Sequence, residues 1–262
     1  MENKLIEILS NLKANSKKAF TAYIMAGERG IKGTIEDAVR LREMGTNILE
    51  LGVPFSDPAA DGLTIQEAGK RALSNGTTIY DVLNCVEEIK KRVDMPIVIM
   101  TYLNPILSVG IEKFFTLSRE KGVDGVIIPD VPLEEANPYI DSCIKNNVSY
   151  IPLVTLTSST ERIKKIVNIA SGFVYCVNTL SVTGKENKIS NDTLNLLKQV
   201  KSFSNVAVLS GFGISTGEEA RELANASDGV IVGSQIIKHL QNKEYKKIKN
   251  IIENIDIVNN GM

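Results

Sequence analysis

Short apolar, β-branched runs alternate with helical patterns along almost the whole chain. The runs fall at residues 19–26, 47–53, 96–102, 125–129, 149–154, 172–177, 205–209 and 229–232. They are brief and nearly all apolar, the pattern of strands buried on both faces. Between them lie segments of period 3.6. In 34–44, Ile35, Ala38, Val39 and Leu41 share a face, and in 159–169 so do Ile163, Ile166 and Val167. Thr34 and Asp37 stand at capping-box spacing, and Gly45 supplies a stop. DGVIIP at 124–129 resembles DGVIVG at 228–233, as repeated units would. Eight strand–helix units of roughly 30 residues predict an α/β chain folded as a (β/α)8 TIM barrel. MENKLIEILSNLK adds an amphipathic helix at the N-terminus. An open doubly wound sheet is the alternative. It calls for a GxGxxG turn after the first strand, and MAGERGIKG is a poor match.

No composition shift marks a boundary, so residues 1–262 are expected to form one barrel domain. The 30 Lys+Arg and 31 Asp+Glu leave a net charge of −1, without an electrostatic footprint for nucleic acid or an anionic membrane. No apolar run approaches the roughly 20 residues of a transmembrane helix. Cys85, Cys143 and Cys176 are too few and too scattered for a disulfide framework or a zinc site, which fits a reduced, cytoplasmic setting. The single histidine, His239, lies in a late lysine-rich helix. Catalytic triads and histidine metal sites therefore drop out, and chemistry falls to carboxylates, tyrosines, lysines or backbone amides.

The longest irregular stretches, 54–64 and 179–190, each follow a strand, and in a barrel such loops carry function. Glu50 interrupts an apolar strand. Alternation points it opposite to Leu49 and Leu51, into the barrel if those leucines face the helices. There it is either a functional acid with a raised pKa or a structural glutamate held by an ion pair. Asp57 and Asp61, in the next loop, read as turn formers or as a second carboxylate over the mouth. Tyr175 shares a face with Phe173 and Val177. Like Tyr102, it reads equally as core or as site. Gly211-Phe212-Gly213-Ile214-Ser215 follows the seventh strand and Gly233-Ser234 the eighth, where barrels of this kind hold phosphate. Val182-Thr183-Gly184 adds a further possible donor. No strand end carries a Schiff-base lysine, and no acidic or histidine cluster has metal-ligand spacing.

Over essentially its full length the chain resembles the tryptophan synthase alpha subunits. LELGVPFSDPAADG (49–62) with IQEAGKRAL carries the resemblance most specifically. YLNP, PDVPLEE, GFVYCV, VTG, GFGIS and VGS support it. The resemblance implies a (β/α)8 barrel that cleaves indole-3-glycerol phosphate to indole and glyceraldehyde 3-phosphate. It implies no cofactor in this chain, and an alpha2beta2 complex with a beta subunit that carries pyridoxal phosphate. Glu50 then matches the general acid/base and Asp61 the second catalytic carboxylate. Tyr175 matches a substrate contact, and Tyr102 and Phe212 join the same site. Thr183 matches the residue that closes on the second carboxylate. Gly184, Gly213, Gly233 and Ser234 match phosphate-binding positions. Pro54, Asp57, Asn104 and Asp130 fall on the partner-facing side. The chain departs from the common pattern at Asn178, Ser181, Leu63 and 26–29. A stand-alone lyase, a regulatory phosphate-binding barrel and a phosphosugar isomerase are the competing readings.

Overall fold

The computed structural model describes residues 3–177, 189–211 and 213–255. Among these, nine strand segments and twelve α-helices alternate. The strands are β1 (Ala19–Met25), β2 (Ile48–Gly52), β3 (Ile97–Met100), β4 (Gly125–Ile127), β5 (Ser149–Tyr150), β6 (Leu153–Thr155), β7 (Phe173–Val177), β8 (Ala207–Gly211) and β9 (Gly229–Val232). All pairings are parallel, in the order β5-β4-β3-β2-β1-β9-β8-β7-β6.

Nine segments stand where the pattern predicts eight strands. β5 and β6 are the two halves of the run expected at 149–154, broken around Pro152, which has no N–H to give to a ladder. The break still bonds on both sides. Ile151 N–H donates to Val126 on β4 (3.0 Å), while the carbonyls of Tyr150 and Pro152 accept from Ser171 and Tyr175 at β7 (2.9 and 3.0 Å). The sheet therefore closes into a barrel, as the pattern of eight units predicts.

Alternation along the strands divides the apolar side chains into two layers. Leu49, Leu51, Val126, Val174, Cys176, Val208 and Val230 face outward onto the helices. Ile48, Val98, Ile127, Ile151, Phe173, Leu209 and Ile231 face inward. Helix α1 (Lys4–Ala14) closes the floor with Leu5 and Leu9, which join that inner layer. Leu5 needs glycine at two positions, Gly125 on β4 and Gly172 just before β7: a Cβ there would sit 3.2 or 2.9 Å from its Cδ2. Asn3 caps α1 by accepting from Leu5 N–H and ties it to the floor by donating to the Asp124 and Asn147 carbonyls.

The repeated Asp-Gly pairs share one device. The Asp124 carboxylate accepts from Ile97 N–H (2.8 Å) and pairs with Lys90. Asp228 does the same with Val208 N–H (2.9 Å) and Lys201. Each aspartate satisfies a backbone donor on the preceding strand and takes a lysine from the helix before it.

Two helices test the boundary expectations. α8 (Thr160–Ile169) has Ser159 as its N-cap, as the pattern predicts. α2 runs Gly30–Glu43, starting four residues before the expected Thr34. Thr34 and Asp37 therefore form no capping box. The Thr34 hydroxyl accepts from Gly27 N–H and donates to the Gly30 carbonyl, and Asp37 pairs with Arg29. The glycines at 27 and 30, both at positive φ, shape the turn that starts the helix early.

Removing the Leu5 side chain opens a void in the inner layer. Leu5→Ala is expected to cost roughly 2–5 kcal/mol, whereas Ile6→Ala, at a partly exposed position on the same helix, costs little. Urea midpoints of the two variants check this.

Candidate active site at the barrel mouth

Two carboxyls meet at the C-terminal end of the barrel. Glu50 is next but one to the end of β2, flanked by outward Leu49 and Leu51, and is 1% exposed. Its Oε2 is enclosed and has no hydrogen-bond partner among the described residues. Among the described residues it forms no ion pair either. Burial, with the Asp61 charge second, raises its pKa to about 8.

Asp61 sits half-buried in the loop between β2 and α3 (Leu63–Ser74). Burial raises its pKa to about 6, and a hydrogen bond with the Tyr102 hydroxyl pulls the other way. Asp61 thus ionises first, and its charge then delays Glu50. Between about pH 6 and 8 the pair holds one carboxylate and one carboxylic acid.

The loop is pinned by Tyr102. Its hydroxyl accepts from Ala60 N–H at 2.9 Å, and its ring stacks on Phe55 with centroids 5.1 Å apart. Gln66 of α3 donates to the Asp61 carbonyl at 2.8 Å. Leu63, the departure noted in the sequence, is the first residue of α3 and 72% exposed, a position where proline is equally at home.

Tyr175, on the inward face of β7 beside Phe173, lies over Gly211, where a Cβ would come within 2.4 Å of its ring. Both carboxyls add to the burial that raises its pKa well above the usual tyrosine value. Tyr23 completes the set and was not singled out by the sequence pattern. It pairs in register with Glu50 and places its hydroxyl over Gly52. The parity reasoning applied to Tyr175 finds it equally well: a tyrosine on an inward position of an otherwise apolar strand.

The two glycine-bearing loops differ at their helices. Helix α10 (Gly217–Ala226) is capped by Thr216 and Glu219, and Glu219 already accepts from Ser215 and Thr216 N–H. Two acidic residues occupy its first turn. Helix α11 (Ser234–Gln241) begins after Gly233 with no side-chain cap and no acid in its first turn. Its free N–H groups can hold an anion. Gly213, at φ 66°, supplies the open backbone before α10. Phe212, Thr183, Gly184, Asn178 and Ser181 lie outside the described residues.

On the remaining expected positions, Asp57 and Asn104 are exposed and Pro54 is buried beneath the loop. Asp130, also exposed, accepts from Leu103 N–H with both oxygens (2.9 and 3.1 Å), capping α5 (Leu103–Val109). His239 pairs with Glu244 on the helical side, in α11. Among the described residues no cluster of His, Cys, Asp or Glu could hold a metal ion, and no helix is long and apolar enough to cross a membrane.

The family model for the tryptophan synthase alpha chain matches residues 9–261. This chain belongs to the tryptophan synthase alpha chain family. The alpha chain of Bacillus cereus is 46% identical over 238 residues, covering 91% of this chain and 92% of that one. The alpha subunit from Legionella pneumophila superposes with a TM-score of 0.88 at 34% identity, covering 98% of this chain and all of that one. A chain in the tryptophan synthase structure of Mycobacterium tuberculosis gives 0.92 at 30% identity, with coverage of 98% and 100%. Membership makes the chain a carbon–carbon lyase of tryptophan biosynthesis, acting on indole-3-glycerol phosphate. Its barrel matches these relatives as a TIM barrel.

The raised pKa of Glu50 has a thermodynamic consequence. Between pH 4.5 and about 8 the folded chain holds a proton there that the unfolded chain releases, so this group's contribution to stability falls as pH rises through that window. Glu50→Gln, neutral throughout, is expected to exceed the wild type in stability at pH 9 by a few kcal/mol and to lose that advantage near pH 4.5. Denaturant titrations at the two pH values check the crossover.

Proposed function

We propose that Glu50 and Asp61 divide the retro-aldol cleavage of indole-3-glycerol phosphate between them. The observation that carries the reading is Glu50: an enclosed carboxyl with an unpartnered oxygen, protonated up to about pH 8, beside an Asp61 that ionises near 6. The protonated Glu50 gives its proton to indole C3, producing an indolenine-like cation. The Asp61 carboxylate accepts from the ring N–H and stabilises that positive charge. Glu50, now a carboxylate, takes the proton of the carbinol hydroxyl. The carbon–carbon bond then breaks to give the aldehyde and neutral indole, and Glu50 is again protonated.

Tyr175 and Tyr102 flank the indole, with Phe212 joining them. The phosphate is held at the α11 N-terminus by Gly233 and Ser234, with Gly213 and Gly184 completing its shell, while Thr183 serves to close on Asp61. Anchoring there fixes the reacting carbon relative to Glu50. The chain acts as one barrel domain and needs no cofactor of its own.

Pro54, Asp57, Asn104 and Asp130 face a tryptophan synthase beta subunit in an alpha2beta2 complex. That subunit carries the pyridoxal phosphate and receives the indole. The Mycobacterium tuberculosis structure titled tryptophan synthase supports this pairing. A cytoplasmic setting fits the three free, buried cysteines.

Glyceraldehyde 3-phosphate release, followed with and without beta subunit, is the direct test, and turnover is expected to rise with the partner. The kcat/KM profile is expected to be bell-shaped, falling below about pH 6 as Asp61 is protonated and above about 8 as Glu50 ionises. Glu50→Gln is expected to abolish cleavage while keeping phosphate-ligand binding, and Asp61→Asn to lower kcat at least about 100-fold. Near-normal turnover in either variant would reject that residue's role.

A further inference from the structure

Tyr23 is a buried tyrosine whose hydroxyl has no partner among the described residues. It is 4% exposed and points inward from β1, in register with Glu50. Its hydroxyl lies over Gly52, two residues beyond Glu50 toward the mouth, where a Cβ would come within 2.1 Å of it. The base of the same side chain backs onto Gly233: its Cβ and Cδ1 are each 3.5 Å from where a Gly233 Cβ would sit. Tyr23 belongs to a buried cluster with Met25, Ala68, Ala72 and Ile237. Among the described residues no group gives or takes a hydrogen bond at the hydroxyl. Burial, with Asp61 and Glu50 nearby, pushes its pKa well above the usual tyrosine value, so it remains a neutral donor. A buried phenol is normally bonded. An unpartnered one at the mouth of a site is a donor kept for a ligand.

We infer that the Tyr23 hydroxyl donates to the carbinol oxygen beside the scissile bond, the atom that becomes the aldehyde oxygen. This rests on the function proposed above, with phosphate at Gly233 and indole C3 at Glu50. The three-carbon chain joins those two ends, and Tyr23 spans the same gap, from Gly233 at its base to Gly52 at its tip. As Glu50 removes the carbinol proton and the carbon–carbon bond breaks, negative charge gathers on that oxygen. Tyr23 donates a hydrogen bond to it throughout and keeps its own proton. The residue therefore discriminates hydroxylated from plain alkyl phosphates as well as assisting cleavage.

Tyr23→Phe keeps the ring and removes only the donor. Wild type and variant would be titrated calorimetrically with glycerol 3-phosphate and with propyl phosphate, and assayed for cleavage. The variant is expected to bind glycerol 3-phosphate about three- to tenfold more weakly, to bind propyl phosphate as the wild type does, and to lose about tenfold in kcat. Equal affinities for both ligands with kcat within twofold of wild type would overturn the inference while leaving the cleavage mechanism standing. Equal weakening for both ligands would also overturn it, since the ring's packing on Gly233 would then be the cause. A wild type that neither cleaves the substrate nor binds either phosphate would bring down the proposed function and this inference together.

Discussion

A carboxyl group enclosed inside an apolar barrel, with one oxygen unpartnered among the described residues, is the constraint on which the rest of this molecule turns. Ionising Glu50 at its site is costly, because water and counter-charge are both withheld and Asp61 adds a like charge. The cost holds only while the barrel is sealed. Closure through the broken fifth strand excludes solvent from the side, and α1 excludes it from below by driving Leu5 between Gly125 and Gly172.

The mouth is built by the opposite logic. Polar groups there are held in position and left short of partners. Tyr102 holds the loop through Ala60 and Phe55, which presents Asp61 over Glu50. Gly52 and Gly211 lack side chains where Tyr23 and Tyr175 lie across them. Helices α10 and α11 each follow a glycine-bearing segment after a strand. At α10 Glu219 consumes the free amides, and at α11 nothing does. One acidic side chain separates a closed helix end from one open to an anion. Elsewhere the paired devices at Asp124 and Asp228 each give a carboxylate both a backbone donor and a lysine.

Much of this was legible along the chain. Strands buried on both faces betray themselves as short apolar runs, and eight of them at regular spacing leave few alternatives to a barrel. The parity of Glu50 against Leu49 and Leu51 gave its direction, because side-chain alternation in a strand is a local property. The same parity placed Phe173 and Tyr175 together. Tyr23 obeys the same rule, but its apolar neighbours give it no further mark in the sequence. The start of α2 was misplaced for a different reason. Thr34 and Asp37 have capping-box spacing, but glycines at 27 and 30 turn the chain earlier, and both side chains were taken by other partners.

By itself, then, the sequence determined the periodicity, the inward or outward direction of each strand residue, the charge balance and the family. These depend on neighbours within a few positions or on the summed composition. Only the tertiary structure decided that Glu50 Oε2 has no partner among the described residues, that Asp61 ionises before Glu50, that α11 begins with no side-chain cap where α10 is capped, and that Tyr23 reaches from Gly233 to Gly52. Each of these is a statement about groups that are distant in the chain and close in space. Burial and pairing are properties of an enclosed volume, and no volume exists until the eight units have closed around it.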